Sequence, residues 1–266
     1  MIAKDVIETI EKLAPLHLAM DWDNPGLILG NEDKQVQNIL LALDIDELVI
    51  NEAISHKIDM IITHHPIIYK AVKNINSRTT VGRWMLKLIQ HDITVYTAHT
   101  NLDITEGGVN DTLFNRLGLT DKTGLQETTP GHYLGRVGKV VGDHTLKSYS
   151  EYVAKQLEVD IVRYVGDPDA KVHHVAICGG AASDYDMFKA AAKAGADLYI
   201  TGDIRYHETQ RAQGLGLNLI DATHHGTENL ALADLKTYLD TQLNKNSNKG
   251  ISILLSEVDL QPFKKA

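Results

Sequence analysis

Short apolar-rich runs alternate along this chain with longer segments of helical periodicity, and that alternation leaves few architectures open. ILLAL (39–43) and Asp59–Thr63 (DMIIT) read as buried strands, and Ile93–Thr97 as a further strand. Between them lie helical patterns: DELVINEAISHK from Asp46, then Thr80–His91. Residues 2–15 form a further helix, with Ile2, Val6, Ile7, Ile10 and Leu13 at helical spacing and Pro15 ending it. The turn Asp23-Asn24-Pro25-Gly26 leads into a short strand, Leu27–Leu29, and Gly107-Gly108 breaks the chain before a helix over Val109–Leu117. The order β-α-β-α-β predicts an α/β layer with a mainly parallel sheet.

The pattern then restarts. Residues 120–135 are polar and contain Pro130-Gly131, which makes them the natural internal boundary. Beyond them the spacing predicts strand 136–141, helix 145–157, strands 161–165 and 172–178, helix 183–194, strand 197–201, helix 205–213, strand 217–220 and helix 226–243. Asn244–Lys249 (NKNSNK) reads as a solvated loop, and Ile251–Leu255 as a last strand returning to one of the sheets. The expected division is 1–125, joined by a strand within 250–266, against 126–249. The halves resemble each other in layout: AISHKIDMIITHHPIIY (53–69) matches AAKAGADLYITGDIRYH (191–207), and VYTAHTNLD (95–103) parallels LIDATHHGTE (219–228). This pairs His99 with His224, Asp103 with Glu228, and His64-His65 with Gly202-Asp203. An old duplication and convergence of two common βαβ units both account for it.

Composition narrows the chemistry. A net charge of −9 disfavours a broad nucleic-acid footprint, although bound cations would still let the chain take a small anion. The single cysteine, Cys178, lies in an apolar run, reads as a buried thiol, and excludes a thiolate metal site or disulfide framework. The N-terminal MIAKDVIETIEKLAPL is an amphipathic acidic helix rather than a targeting segment, and no apolar stretch spans a bilayer, so a cytoplasmic location is expected.

Polar clusters follow the strands at their carboxyl ends, where open α/β sheets gather ligands. His64 and His65 come directly after IIT, and Pro66 holds His65 extended; both rings turn to one side, or one packs and the other is exposed. His224 and Glu228 lie four apart at the start of a helical pattern, the spacing of helical two-ligand metal sites and also of an acidic first turn. Asp103 follows VYTAHTN, where a carboxylate bridges two cations or caps a turn. His99 is a ligand, an orienting group or a proton shuttle. Asp203 and His207 hold the equivalent place in the second half, either behind the ligands or capping a helix. Gly179-Gly180 reads as a strand-to-helix turn or a phosphate cradle. Arg205 and Tyr206 are candidates for an anionic or aromatic substrate. Three imidazoles and two carboxylates are more than one open tetrahedral site needs and suit two ions sharing a carboxylate.

Taken in order, DWDNPGLILG (21–30), LALDI (41–45), THHPIIY (63–69), YTAHTNLD (96–103), GRVG (135–138), VAICGG (175–180), TGDIRYHE (201–208) and DATHHGTE (221–228) resemble the GTP cyclohydrolase I type 2 homologues, the Nif-three-like dinuclear metal-centre proteins. The resemblance implies two similar three-layer α/β halves with mainly parallel or mixed sheets and a metal site in the cleft between them. It also implies a homo-hexameric ring, and it places the ligands on His64, His65, Asp103, His224 and Glu228, selecting His224 over His225. Two divalent ions per chain follow, drawn from zinc, iron, manganese, cobalt or nickel. The compact length leaves no room for the mid-chain domain some relatives carry. The function so implied is metal-dependent hydrolysis of a nucleotide or related small molecule, with His99 the candidate proton shuttle. The alternative is a non-catalytic metal-binding scaffold or regulator acting through partners.

Overall fold

A computed structural model describes residues 1–245 and 250–264. Its elements run α1 (Ala3–Leu13), β1 (Gly26–Leu29), β2 (Asn38–Ala42), α2 (Glu47–Ser55), β3 (Met60–Thr63), α3 (Thr80–Gln90), β4 (Thr94–Thr97), α4 (Thr100–Ile104) and α5 (Val109–Arg116). They continue with β5 (Thr120–Thr129), β6 (His132–Thr145), α6 (Leu146–Gln156), β7 (Arg163–Val165), β8 (Lys171–Ile177), α7 (Tyr185–Lys193), β9 (Leu198–Thr201) and α8 (Tyr206–Gly214). Last come β10 (Asn218–Asp221), α9 (His224–Glu228), α10 (Ala231–Leu243) and β11 (Ser252–Leu255). The loop expected over 244–249 falls mostly outside the described residues. Among the described residues no helix is long and apolar enough to cross a membrane.

The chain forms two compact α/β units, Met1–Thr105 with Leu232–Leu260, and Glu106–Ala231 with Gln261–Ala266. The first division thus falls at Thr105/Glu106 rather than at 125. The reason is α5: its Leu113 and Phe114 pack into the core formed by Leu146, Val175 and Ile200, a hydrophobic contact that sequence order does not reveal. The C-terminal helix α10 goes the other way, its Tyr238 hydroxyl donating to the Thr9 carbonyl at 3.1 Å.

In the first unit the sheet order is β1-β4-β3-β2-β11, parallel except for the antiparallel edge strand β1. Its core joins Leu40, Ile61 and Val95 from the sheet to Val49, Ile50 and Ala53 of α2 and Leu88 of α3. Both helices start where the sequence offers a cap: Asp46 accepts from Val49 N–H and Thr79 from Gly82 N–H. In the second unit the order is β5-β6-β8-β9-β10-β7. Successive residues of its strands feed two cores, as a pleated sheet requires. Val175, Ile177, Leu198 and Ile200 face α5 and α6, whereas Ala176, Cys178 and Tyr199 face α7 and α8. Cys178 is buried there, as its apolar run predicts.

The internal repeat is legible in the strands. The series β1-β4-β3-β2 and β7-β10-β9-β8 have the same order and directions, each with an antiparallel edge strand. A matching device holds each centre. Asp59, just before β3, accepts from the N–H groups of Gln37 and Asn38, and Asp197, just before β9, accepts from those of His173 and His174. Asp197→Ala leaves two solvent-exposed backbone donors without that acceptor; we expect about 0.5–1.5 kcal/mol of lost stability, read from a denaturant midpoint at constant slope. The sequence alignment of the repeat is nevertheless one residue out at the strand ends. Ala98 donates to the Thr63 carbonyl and Ala222 to that of Thr201, so Asp103 occupies the place of Thr227, not of Glu228.

Two further expectations are corrected. Residues 120–135, expected as the internal boundary, lie within the second unit: they are β5 and the start of β6, an antiparallel pair turning at Pro130-Gly131. Half of β5 is solvent-exposed and Leu125 is its one buried residue, so its polar sequence carries little burial signal. The helix expected over 226–243 is two helices, because Asn229 ends α9 before α10 begins.

Candidate metal centre

Two sets of ligand-type side chains stand at strand ends, one in each unit. In the first, His64 and His65 follow β3, and His99 and Asp103 follow β4. The first alternative left by the sequence holds: the rings of His64 and His65 lie 5.0 Å apart, with the His99 ring 5.2 and 5.5 Å from them. One nitrogen from each of these three imidazoles lies within 4.8 Å of the others, so they could hold an ion.

Each ring is fixed through Nδ1. His64 Nδ1 is 2.9 Å from the Ala98 carbonyl, which can only accept, so Nδ1 carries the proton and a neutral His64 presents its lone pair at Nε2. That Nε2 faces Asp103 Oδ1 at 3.5 Å, with both side chains buried. His65 Nδ1 lies 2.8 Å from Asp44, and His99 Nδ1 lies 2.7 Å from Asp23. Burial pushes the Asp23 carboxyl up, but hydrogen bonds from His99 and Thr100 and the His99 charge outweigh it, holding the group down at about 2. Since the folded value lies below the ordinary one, Asp23 stabilises the fold above the normal carboxylate range and loses that contribution as pH falls toward 2. We expect the stability gap between wild type and Asp23→Asn, measured by denaturation at pH 6 and pH 3, to be roughly halved at the lower pH.

In the second unit α9 starts immediately after β10 with Thr223 as its cap, at φ 66°, a left-handed conformation that a β-branched residue rarely adopts. The Thr223 hydroxyl accepts from Gly226 N–H at 3.0 Å. This strained start aims His224 Nδ1 at Asp203 (2.8 Å) and His224 Nε2 at Glu228 Oε2 (3.0 Å). Gly179 and Gly180 do not form a phosphate cradle; they let α9 approach. A Cβ on Gly180 would lie 2.1 Å from Glu228 Oε1 and 3.4 Å from His224 Nε2. The Gly180 N–H donates to Thr227, and its φ is +69°.

These donor sets fit divalent ions. Two atoms each bound at about 2.0–2.2 Å to one ion sit about 3.0–3.5 Å apart, which is the spacing of His64 Nε2 from Asp103 and of His224 Nε2 from Glu228. The oxygen acceptors behind Nδ1 of His64, His65 and His224 are the partners that orient metal-bound imidazoles. Of the residues considered earlier, Asp203 proves to stand behind His224. His207 is exposed with its ring against Tyr206, and with Arg205, Glu208, Gln210 and Arg211 it lines a separate open cavity of about 600 Å³. Asp44 and Asp23 were not assigned roles from sequence. Their signal was position alone, one closing the β2 run and the other inside the DWDN turn. Asp203→Asn keeps the shape but weakens the acceptor behind His224; we expect metal affinity to fall about 10–100-fold in equilibrium dialysis.

Comparison with known proteins agrees with these motifs. The Duf34/NIF3 (NGG1p interacting factor 3) family profile matches residues 1–262. A Clostridium acetobutylicum protein named GTP cyclohydrolase 1 type 2 homolog is 38% identical over 267 residues, covering 98% of this chain and 97% of the relative. A Streptococcus pneumoniae protein of the same name is 36% identical, covering 99% of both. The fold superposes with a TM-score of 0.94 on the crystal structure of a Bacillus cereus protein related to NIF3, at 26% identity over 100% of this chain and 99% of that one.

Proposed function

This chain belongs to the Duf34/NIF3 family, and from that membership we propose that it holds two divalent metal ions and hydrolyses a nucleotide or related small molecule. The proposed ligands are His64, His65 and Asp103 with His224 and Glu228. The observation that carries this reading is the matched spacing of imidazole and carboxylate atoms in both units, each imidazole backed by an oxygen acceptor at Nδ1. Ions held there would supply Lewis acidity and an acidified water at neutral pH. A nitrogen and oxygen donor set of this kind suits several first-row metals.

The chain's own residues supply orientation and proton handling. Asp44 and Asp203 hold the rings of His65 and His224 in place. Asp23 does the same for His99, whose Nδ1 it engages, leaving Nε2 to exchange a proton with substrate or water. His99 therefore takes the role of proton shuttle in this reading, and its place among the imidazoles makes ligation the competing role. His99→Ala separates them. A shuttle loses turnover with metal retained, whereas a ligand loses metal as well.

The reading as a whole is tested by metal analysis. We expect about two ions per chain in wild type and a large loss in Asp103→Ala, because a shared carboxylate serves both. Metal-free wild type purified under non-chelating conditions, or metal-loaded protein inert toward a panel of nucleotides, would sink the hydrolase assignment; the second result leaves a metal-binding scaffold. A hexameric ring, implied by the family resemblance, and a cytoplasmic location, expected from the N-terminal sequence, belong to the same proposal, and sedimentation equilibrium and cell fractionation test them.

A further inference from the structure

The turn over residues 21–25 does more than connect α1 to β1. Asp23 engages the His99 ring and accepts from both the backbone and the hydroxyl of Thr100. The next residue, Asn24, donates its side-chain N–H to the Ile68 carbonyl at 2.8 Å, tying the turn to the segment beyond His65. Trp22 therefore projects from a backbone pinned on its C-terminal side, yet 55% of it is exposed, as is 55% of Tyr69. The Trp22 and Tyr69 rings meet edge to face at 6.0 Å, and Trp22 meets the His99 ring in the same way at 6.1 Å. Large aromatic side chains are costly to leave in water, and anchoring one beside an imidazole cluster is what ring recognition requires.

We propose that Trp22 and Tyr69 form the ring-recognition element of this centre, taking a substrate that carries a planar nitrogen heterocycle. The heterocycle packs on the indole face with its edge toward the phenol ring, which directs the rest of the molecule to His64, His65 and His99. Only the location of the reacting group rests on the hydrolase reading; the aromatic contact stands without it. Stacking on an indole tolerates different bases, because every base has a π face, so the two rings select a planar heterocycle over a plain sugar. Substrate identity beyond that class is then set by groups at the ring edge.

The chain contains two tryptophans, so Trp84→Phe leaves Trp22 as the sole indole reporter. Nucleosides are the right probes, since phosphates would bind metal irrespective of the rings. Guanosine and uridine are each titrated into this variant, with ribose as the ring-free control and metal content read on the same samples. The expected result is saturable change of Trp22 emission by the nucleosides, none by ribose, and about tenfold or greater weakening in Trp22→Leu with metal content unchanged. Nucleosides that leave Trp22 emission unchanged, ribose acting as well as guanosine, or wild-type affinity in Trp22→Leu would each overturn the proposal. If Trp84→Phe does not fold, the wild-type change minus that of Trp22→Leu gives the same readout. Metal-free wild type would count against the hydrolase reading alone, because the nucleoside response still decides the aromatic one.

Discussion

Replacing Arg136 by methionine is expected to remove about 1.5–3 kcal/mol of stability, because it takes the guanidinium from a buried carboxylate and leaves Lys122 as its cationic partner. Arg136 is only 4% exposed and bonds through Nε to Asp111, itself 4% exposed, while its Nη1 donates to the carbonyls of Tyr133 and Gly135. Asp111 also accepts from Gly107 N–H and from Lys122. Burial raises the Asp111 carboxyl, but these donors and the Arg136 charge together hold it below the ordinary range. The ionised pair thus contributes above the normal carboxylate range and weakens on acidification. Since whole domains are stable by about 5–15 kcal/mol, the single substitution takes a large share. The double variant Arg136→Met with Asp111→Asn should recover part of the loss, because it removes a buried charge that keeps only one of its two cationic partners. A denaturation series in which the double variant is less stable than Arg136→Met would show that the ion pair is not the source.

Gly180→Ala should produce the largest change in metal binding from a residue that is not itself a ligand. The left-handed φ of +69° costs an alanine about 1–2 kcal/mol. The greater effect is steric. The added carbon would lie 2.1 Å from Glu228 Oε1. The carboxylate is the movable party, so it leaves its place beside His224 while the strands stay put. The variant should therefore fold with a modest loss of stability but lose metal to the same extent as Glu228→Ala. Wild-type metal content in a folded Gly180→Ala protein would mean that Glu228 does not ligate from this position. This outcome reads the ligand role directly, whereas a change at Glu228 alone confounds ligand loss with loss of a buried charge.

Local patterns carried much of the fold. The apolar runs of β2, β3 and β4 and the helices from Asp46 and over Thr80–His91 were legible because burial leaves periodic, short-range marks. The repeat was legible for the same reason, and the tertiary topology bears it out strand for strand. The hairpin β5–β6 was not, because an exposed strand is under no pressure to alternate apolar and polar residues. The imidazoles and carboxylates at the strand ends could also be placed from sequence, since each follows a buried run.

The sequence by itself determined the buried strands β2, β3 and β4, the helices between them, and which chemistry-bearing side chains end the strands, because each leaves a pattern within a few residues. Only the tertiary structure decided which atoms meet. It set Asp23 on His99 across 76 residues of chain and Asp44 on His65 across 21, and it displaced Asp103 by one position from the counterpart that spacing suggested. Side-chain spacing fixes a local face, but the partner on the other side of a hydrogen bond is brought there by the packing of the sheet.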